Sequence, residues 1–179
     1  MESGNIESPE TSSSEQTDSP FALACLRAEK TALHLIARAE QNVSGLSRKL
    51  EKRGHDQACV RTVIERLCEA GLLDDRRYAR LWLGSRISRQ ASSPRRLFAA
   101  LCSRGIDHDD AEAALKETLD DEAEQRLLER YVQKLRFRQK TGEDDSAAAR
   151  RSLRYTLKGE GFSSAAIQCF FDNQEIPIN

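Results

Sequence analysis

The sequence predicts an all-α protein made of three tandem three-helix repeats of helix-turn-helix type, elongated or curved, behind a disordered N-terminal tail. Composition favours helix, because 20 Leu and 21 Ala stand against 4 Val and 8 Ile, with only 9 Gly and 4 Pro in 179 residues. A leucine-glycine skeleton also occurs three times along the chain. Each copy is followed by an apolar stripe at helical spacing, which predicts a further helix.

The first 18 residues are expected to form the disordered acidic tail. Residues 1–20 contain five acids and no Lys or Arg, and offer too little apolar surface to offset the entropy of ordering. The net charge is −1, and because this tail carries −5, the rest of the chain carries +4. The sequence shows neither the basic start and apolar run of a secretory signal nor the roughly 20 apolar residues of a membrane helix. A cytoplasmic location is therefore predicted.

Cysteine and histidine spacing indicates no cofactor and no metal. The five cysteines are odd in number and contain no CxxC pair, so we interpret them as small buried hydrophobes in a reducing compartment, with a disulfide or metal framework as the weaker alternative. The three histidines are too scattered for a ligand set or a catalytic triad. They are His34, His55 and His108.

The repeated skeleton consists of two leucines four residues apart and a glycine four residues further on. Its copies are LSRKLEKRG from Leu46, LFAALCSRG from Leu97 and LRYTLKGEG from Leu153. A glycine at this place can adopt the left-handed conformation that ends a helix. Two residues later comes an Asp or Ser that can cap the next helix, so each copy predicts a helix-turn-helix corner. The corner glycines are Gly54, Gly105 and Gly161; the caps are Asp56, Asp107 and Ser163.

Apolar residues six, nine and ten positions after each glycine predict the buried face of the following helix. These residues are Val60, Val63, Ile64, Ala111, Ala114, Leu115, Ile167, Phe170 and Phe171.

A longer helix is predicted before each corner. The starts are Ser19-Pro20, Asp74-Asp75 and Asp120-Asp121, which combine capping side chains with proline or acid in the first turn. The apolar residues that mark these helices are Leu26, Leu33 and Ala37, then Tyr78, Leu81 and Trp82, then Leu128, Tyr131, Val132 and Leu135. Tyr78, Leu81 and Trp82 are expected to supply the core of the middle repeat. The repeats accordingly run over 19–73, 74–119 and 120–174, and 175–179 form a C-terminal tail.

The adjacent carboxylates Asp74 and Asp75 raise the question of catalysis. A catalytic acid needs a pocket, a partner and a shifted pKa, whereas an acid at a helix start complements the positive end of the helix. Because the pair recurs at the equivalent helix start, Asp120-Asp121, helix capping is the preferred interpretation. Gly54, Gly105 and Gly161 are assigned a structural role because each can end a helix in the left-handed conformation. An acid-dependent hydrolase is disfavoured.

Charge is segregated along the chain. From Arg76 to Arg104 there are eight arginines and no acid, residues 107–129 hold ten acids against two basic residues, and residues 130–140 hold five basic residues and no acid. Such blocks are either ordinary solvated faces or surfaces that steer a partner or a phosphate backbone. The candidate contact residues are Arg48, Lys49, Lys52, Arg53, Arg86, Arg89, Arg95, Arg96 and Arg104.

Four ordered elements resemble the RecX family of bacterial recombination regulators. They are LSRKLEKRG, GLLDDRRYARLWLGSR, SPRRLFAALCSRGID and LKGEGFSSAAIQCFF, and the resemblance extends over about residues 30–172. It implies a non-enzymatic, monomeric protein of DNA repair, homologous recombination and the SOS response. Such a protein would bind the RecA recombinase filament and inhibit or modulate its ATPase, strand-exchange and co-protease activities, with single- or double-stranded DNA as a further partner. The alternative is a helical nucleic-acid-binding protein that acts without a recombinase.

Overall fold

The computed structural model describes residues 20–139 and 146–175, and these residues form α-helices joined by short turns, without a β-strand. Their nine helices are α1 (Pro20–Arg38), α2 (Val43–Glu51), α3 (Gln57–Glu69), α4 (Asp75–Arg89), α5 (Pro94–Cys102), α6 (His108–Thr118), α7 (Asp121–Gln139), α8 (Ala147–Gly159) and α9 (Ser164–Glu175). The all-α prediction is confirmed. The predicted cap Ser19, most of both predicted tails and residues 140–145 lie outside the described residues.

One compact unit contains residues 20–40 and 46–73. Its helix α1 packs against α3 through small side chains, because Cys25, Ala28 and Ala32 are the residues of α1 that are buried. The larger apolar residues that mark α1 in the sequence lie outside this contact, since Leu26 is 50% and Leu33 42% exposed. Close approach of two helices favours small residues at the contact, which the apolar spacing of the larger leucines could not indicate.

Two cysteines of this unit are buried as predicted. Cys25 and Cys59 lie in the core, and a hydrogen bond with Cys25, together with burial, raises the pKa of Cys59 to about 11. A thiol with so high a pKa is almost entirely protonated at neutral pH and therefore unreactive. The prediction is wrong for Cys68 and Cys169, which are exposed.

The other compact unit contains residues 41–45 and the described residues from Asp74 onward. Helices α4 to α9 share one hydrophobic core, in which α4 packs on α6 and α7 on α9. Ala79, Leu83 and Ile87 form the buried stripe of α4, with Tyr78 and Trp82 packed against it. The prediction for Leu81 is wrong, because it lies on the far side of this stripe and is 58% exposed.

Other predicted core faces are confirmed. Leu128, Tyr131 and Val132 are buried on α7, with Leu135 partly buried, and the apolar stripes after the glycines are buried except for the partly buried Leu115. The Tyr131 and Phe162 rings meet with their centroids 5.5 Å apart, so the third corner is anchored directly on α7.

Each of the three corners has the same backbone geometry. Gly54, Gly105 and Gly161 have φ of 83°, 86° and 88°, a left-handed conformation that side-chain-bearing residues disfavour. The next residue donates its N–H back to the second leucine of the skeleton, as Ile106 does to Leu101 at 3.3 Å. Asp56 and Asp107 then cap α3 and α6 through their carboxylates, and Ser163 Oγ accepts from Ala166 N at 3.1 Å.

Two of these corners are pressed against the start of a preceding helix. At Gly105 a Cβ would lie 2.4 Å from Ser44 Cβ, at the beginning of α2. The buried Asn42 side chain fastens this contact, because its Nδ2 donates to Arg104 O at 2.9 Å. At the next corner the Arg95 N–H donates to Glu160 O at 3.0 Å, and a Cβ on Gly161 would lie 3.4 Å from Arg95 N.

Replacing the corner glycine with alanine should lower the unfolding free energy by different amounts at Gly105 and at Gly161. Gly161→Ala should cost about 1–2 kcal/mol of unfolding free energy from the left-handed backbone alone. Gly105→Ala should cost roughly 1–3 kcal/mol more, because the new methyl group must displace Ser44. Denaturant unfolding of both variants measures this difference. Adding Ser44→Gly to Gly105→Ala should recover most of the excess, and equal losses for both single variants would show that the close contact with Ser44 is unimportant.

Candidate basic interface

We call the compact unit of residues 20–40 and 46–73 the first unit and the other compact unit the second unit. The predicted basic residues of the first unit lie at one exposed helix end. Arg48, Lys49, Lys52 and Arg53 surround the C-terminal turn of α2, and Arg53 Nη1 donates to Lys49 O at 3.0 Å. Lysines and arginines at the C-terminal end of a helix interact favourably with the negative end of the helix dipole. The four side chains therefore form a local cationic patch that is also favourable for α2.

In the second unit, two of the predicted arginines converge on Trp82. The guanidinium carbon of Arg104 lies 4.4 Å and that of Arg86 5.2 Å from the indole centroid, and all three side chains are half-buried. Arg104 Nη1 also donates to Ala100 O at 2.7 Å. Cation–π contacts of this kind hold the guanidinium groups in place while leaving their charge at the surface. Trp82 thus forms the base of a cationic site, in addition to packing against the core.

Two further predicted arginines occupy the beginning of α5. Arg95 Nη1 donates to Gly159 O at 3.3 Å, and Arg96 lies 3.6 Å from the Glu160 carboxylate, which also accepts from the buried Ser93 hydroxyl. Ser93 is in addition the N-cap of α5. Since Arg104 follows the other end of α5, the helix separates two arginine pairs by its length of about 13 Å.

Other cations in the basic stretches hold the fold together. Arg130 Nη1 donates to Ser88 O at 3.1 Å and Lys134 Nζ to Ala91 O at 2.9 Å, so α7 neutralises carbonyls at and just beyond the C-terminal end of α4. Arg76 and Arg80 of α4 both bind Glu117 of α6, and these hydrogen bonds, led by that of Arg80, lower the pKa of the Glu117 carboxyl. Arg89 is exposed at the end of α4.

The adjacent carboxylates Asp74 and Asp75 have separate structural tasks. Asp74 is the N-cap of α4 and accepts from Arg77 N at 2.9 Å. Asp75 is the first residue of the helix, and its Oδ1 accepts from Val43 N at 2.8 Å. Burial raises the pKa of the Asp75 carboxyl, with smaller contributions from Asp110 and Asp74, while the bond from Val43 opposes the rise. Sequence reasoning missed the Val43 bond, because it joins positions 32 residues apart.

Two further features were missed. Glu124 of α7 is buried and accepts from both the N–H and the hydroxyl of Ser163, each at 2.7 Å, which supports the cap of α9. Helix α8 carries four basic residues, Arg150, Arg151, Arg154 and Lys158, and no acid. A charge count over residues 147–159 would have found the second feature, whereas no local pattern marks the first.

The described residues contain no group of three or more His, Cys, Asp or Glu placed to hold a metal ion. Nor does any helix in that part of the chain have the length and apolar character needed to cross a membrane. What this geometry presents is a set of positioned cations on helix surfaces.

These observations define an all-helical protein with recurring helix-turn-helix corners and a cationic surface. Residues 74–115 match the family model described as RecX, second three-helix domain. The chain is 39% identical over 118 residues to the regulatory protein RecX of Treponema pallidum, covering 66% of this chain and 72% of that protein. It is 35% identical over 140 residues to the regulatory protein RecX of Halorhodospira halophila, covering 76% and 81%. The chain belongs to the RecX family.

Solved structures agree on the fold. The crystal structure of RecX from Lactobacillus salivarius superimposes with a TM-score of 0.67 at 20% identity, covering 85% of this chain and 97% of that one. A second crystal structure, of a regulatory protein RecX, gives a TM-score of 0.70 at 21% identity and covers 85% and 73%.

The Asp75 geometry predicts different stability losses for two substitutions. Asp75→Ala removes the acceptor of the Val43 N–H and should lower the unfolding free energy by about 1 kcal/mol. Asp75→Asn keeps an acceptor oxygen and removes a charge that burial disfavours, so it should cost less at neutral pH.

The pH dependence of the unfolding free energy separates the effect of the Asp75 charge from the effect of its hydrogen bond with Val43. Because the folded pKa of Asp75 is raised, its contribution to stability is greatest when it is protonated and falls as pH rises through that pKa. The stability of Asp75→Asn relative to wild type should therefore increase as pH rises from the acidic range to neutrality, as followed by denaturant unfolding. A relative stability that declines over this range would contradict the assigned direction.

Proposed function

We propose that this protein binds the RecA recombinase filament and inhibits or modulates its ATPase, strand-exchange and co-protease activities, without catalysing a reaction itself. Membership of a family whose similar members are named regulatory proteins is the observation that carries the proposal. The positions of Asp74 and Asp75 support a non-catalytic role, because both carboxylates are engaged with backbone N–H groups.

The proposed contact surface in the second unit uses the predicted arginines at both ends of α5, together with Arg89 at the C-terminal end of α4. Arg86 and Arg104 are held by Trp82, and Arg95 and Arg96 by the turn at Gly159 and Glu160. Guanidinium groups that are fixed in this way lose less side-chain entropy on binding than free ones. Their planar donors suit the carboxylates of a protein partner and the phosphates of the DNA within a filament.

The remaining parts of the proposal follow from this role. The patch Arg48, Lys49, Lys52 and Arg53 is a second proposed contact region on the first unit. We also propose that the three repeats have the boundaries 19–73, 74–119 and 120–174, and that the protein acts as a monomer in the cytoplasm. Neither a cofactor nor a metal is required.

The test is ATP hydrolysis by RecA assembled on single-stranded DNA. The purified protein should lower the rate in a concentration-dependent manner. The double variant Arg89→Glu/Arg95→Glu should require about tenfold more protein for the same inhibition, which corresponds to about 1.4 kcal/mol of binding free energy. Both side chains are exposed, and the substitution removes one hydrogen bond, from Arg95 to Gly159 O, so circular dichroism of the variant is compared with that of the wild type to check its fold.

A matched control reverses the same amount of charge elsewhere. Lys30→Glu/Arg61→Glu changes two exposed cations of α1 and α3 and should inhibit like wild type. If the wild-type protein leaves both ATPase and strand exchange unchanged, the proposed function is wrong. If it inhibits but Arg89→Glu/Arg95→Glu inhibits equally well, only the assignment of the contact surface is wrong.

A further inference from the structure

The outward face of α8 presents an aromatic ring among cations. Arg151, Tyr155 and Lys158 are spaced four and three residues apart, so they lie on one side of the helix, along about 10 Å of its axis. All three are exposed, and Tyr155 is 84% exposed. The inward side of α8 is different, since Leu157 is fully buried in the core.

The cations of α8 divide by function. Arg150 and Arg154 lie over the Phe171 ring, with guanidinium carbons 5.7 and 4.3 Å from its centroid, and Arg154 also binds Gln168. They belong to the contact between α8 and α9. Arg151 bonds through Nε to Ala147 O at 3.3 Å, which leaves its two terminal nitrogens at the surface. The Lys158 ammonium group has neither a hydrogen bond nor an ion pair among the described residues.

The residues equivalent to Arg151 in the two earlier copies of the skeleton both make tertiary contacts. Arg151 lies two residues before the first leucine of the skeleton, as Ser44 and Arg95 do in the earlier copies. Ser44 and Arg95 are each covered by a glycine corner, Gly105 or Gly161. Arg151 remains exposed, and so does the face of α8 that follows it.

The surface continues beyond the end of α8. Arg95 bonds to Gly159 O, so a further guanidinium group borders the C-terminal turn that carries Lys158. The nearest acid in sequence, Glu160, is already engaged by Ser93 and Arg96. The face therefore has a net positive charge with one exposed ring in its middle.

This combination fits single-stranded nucleic acid better than an acidic protein. Phosphates would neutralise Arg151 and Lys158, and an acidic surface could do the same. An unpaired base additionally offers a π-face for the Tyr155 ring, and base stacking on an exposed aromatic among cations is the usual chemistry of single-strand binding. We propose that the α8 face, Arg151, Tyr155 and Lys158, binds single-stranded nucleic acid by stacking a base on Tyr155 between two phosphate contacts.

The experiment measures binding of the full-length protein to a short fluorescent oligothymidylate without any recombinase, so its result does not depend on the proposed filament role. Tyr155→Ala should weaken binding roughly 5- to 150-fold, the range for loss of one stacked base. Tyr155→Phe keeps the ring and should bind like wild type. Lys158→Ala should make the dependence of log affinity on log salt shallower by about 0.7, as expected for one lost phosphate contact.

Two controls separate stacking from charge and from unfolding. Phe137→Ala removes a different exposed aromatic, 87% exposed on α7, and should leave binding unchanged. An abasic oligomer of the same length should bind wild type and Tyr155→Ala equally. The proposal is overturned if Tyr155→Ala binds oligothymidylate like wild type. It is also overturned if Tyr155→Ala and Lys158→Ala weaken only the inhibition of RecA, because the face would then be a protein contact.

Discussion

A left-handed glycine ends the first helix of each corner, and in the second unit this glycine lies against the beginning of another helix. With a Cβ, Gly105 would stand 2.4 Å from Ser44, so the beginning of α2 and the end of α5 can touch only because that atom is missing. Gly161 lies against the beginning of α5, but there a Cβ would stand 3.4 Å from Arg95 N, so its left-handed backbone and not a lack of space requires glycine. The corner therefore ends one helix, starts the next and docks on a third.

Close approach of two backbones buries polar groups that need hydrogen-bond partners. The contacts at the beginning of α2 and at the beginning of α5 provide these partners differently. Val43 N–H is bound by Asp75. The equivalent position three residues before the next skeleton leucine is Pro94, which has no N–H to satisfy. The buried Asn42 and Ser93 likewise occupy equivalent positions, yet one donates to a carbonyl and the other to a carboxylate. The recurring backbone geometry thus tolerates different side-chain solutions.

The sequence was sufficient for features that depend on neighbours along the chain. The leucine pairs, the corner glycines and the caps Asp56 and Asp107 follow from helical spacing and local hydrogen bonding, and the structure places them so. Features set by distant partners were not predictable. Leu81 fits an apolar spacing as well as Leu83 does, and the position of α6, which packs on α4, decides which of the two is buried. The bonds of Asp75 to Val43 and of Glu124 to Ser163 join residues 32 and 39 positions apart.

Charge segregation along the sequence is a poor guide to which cations are available for binding. Arg76 and Arg80 come from the same basic stretch as predicted contact residues, yet they bind a carboxylate, and Arg130 and Lys134 of the other basic stretch bind the end of a neighbouring helix. Arg86 and Arg104 are held by an indole ring, which orients a guanidinium group without neutralising its charge. A carboxylate in a salt bridge neutralises the charge of a cation, whereas an aromatic ring leaves that charge in place. The partner of each arginine in the fold therefore describes its available charge better than the number of arginines in a stretch does.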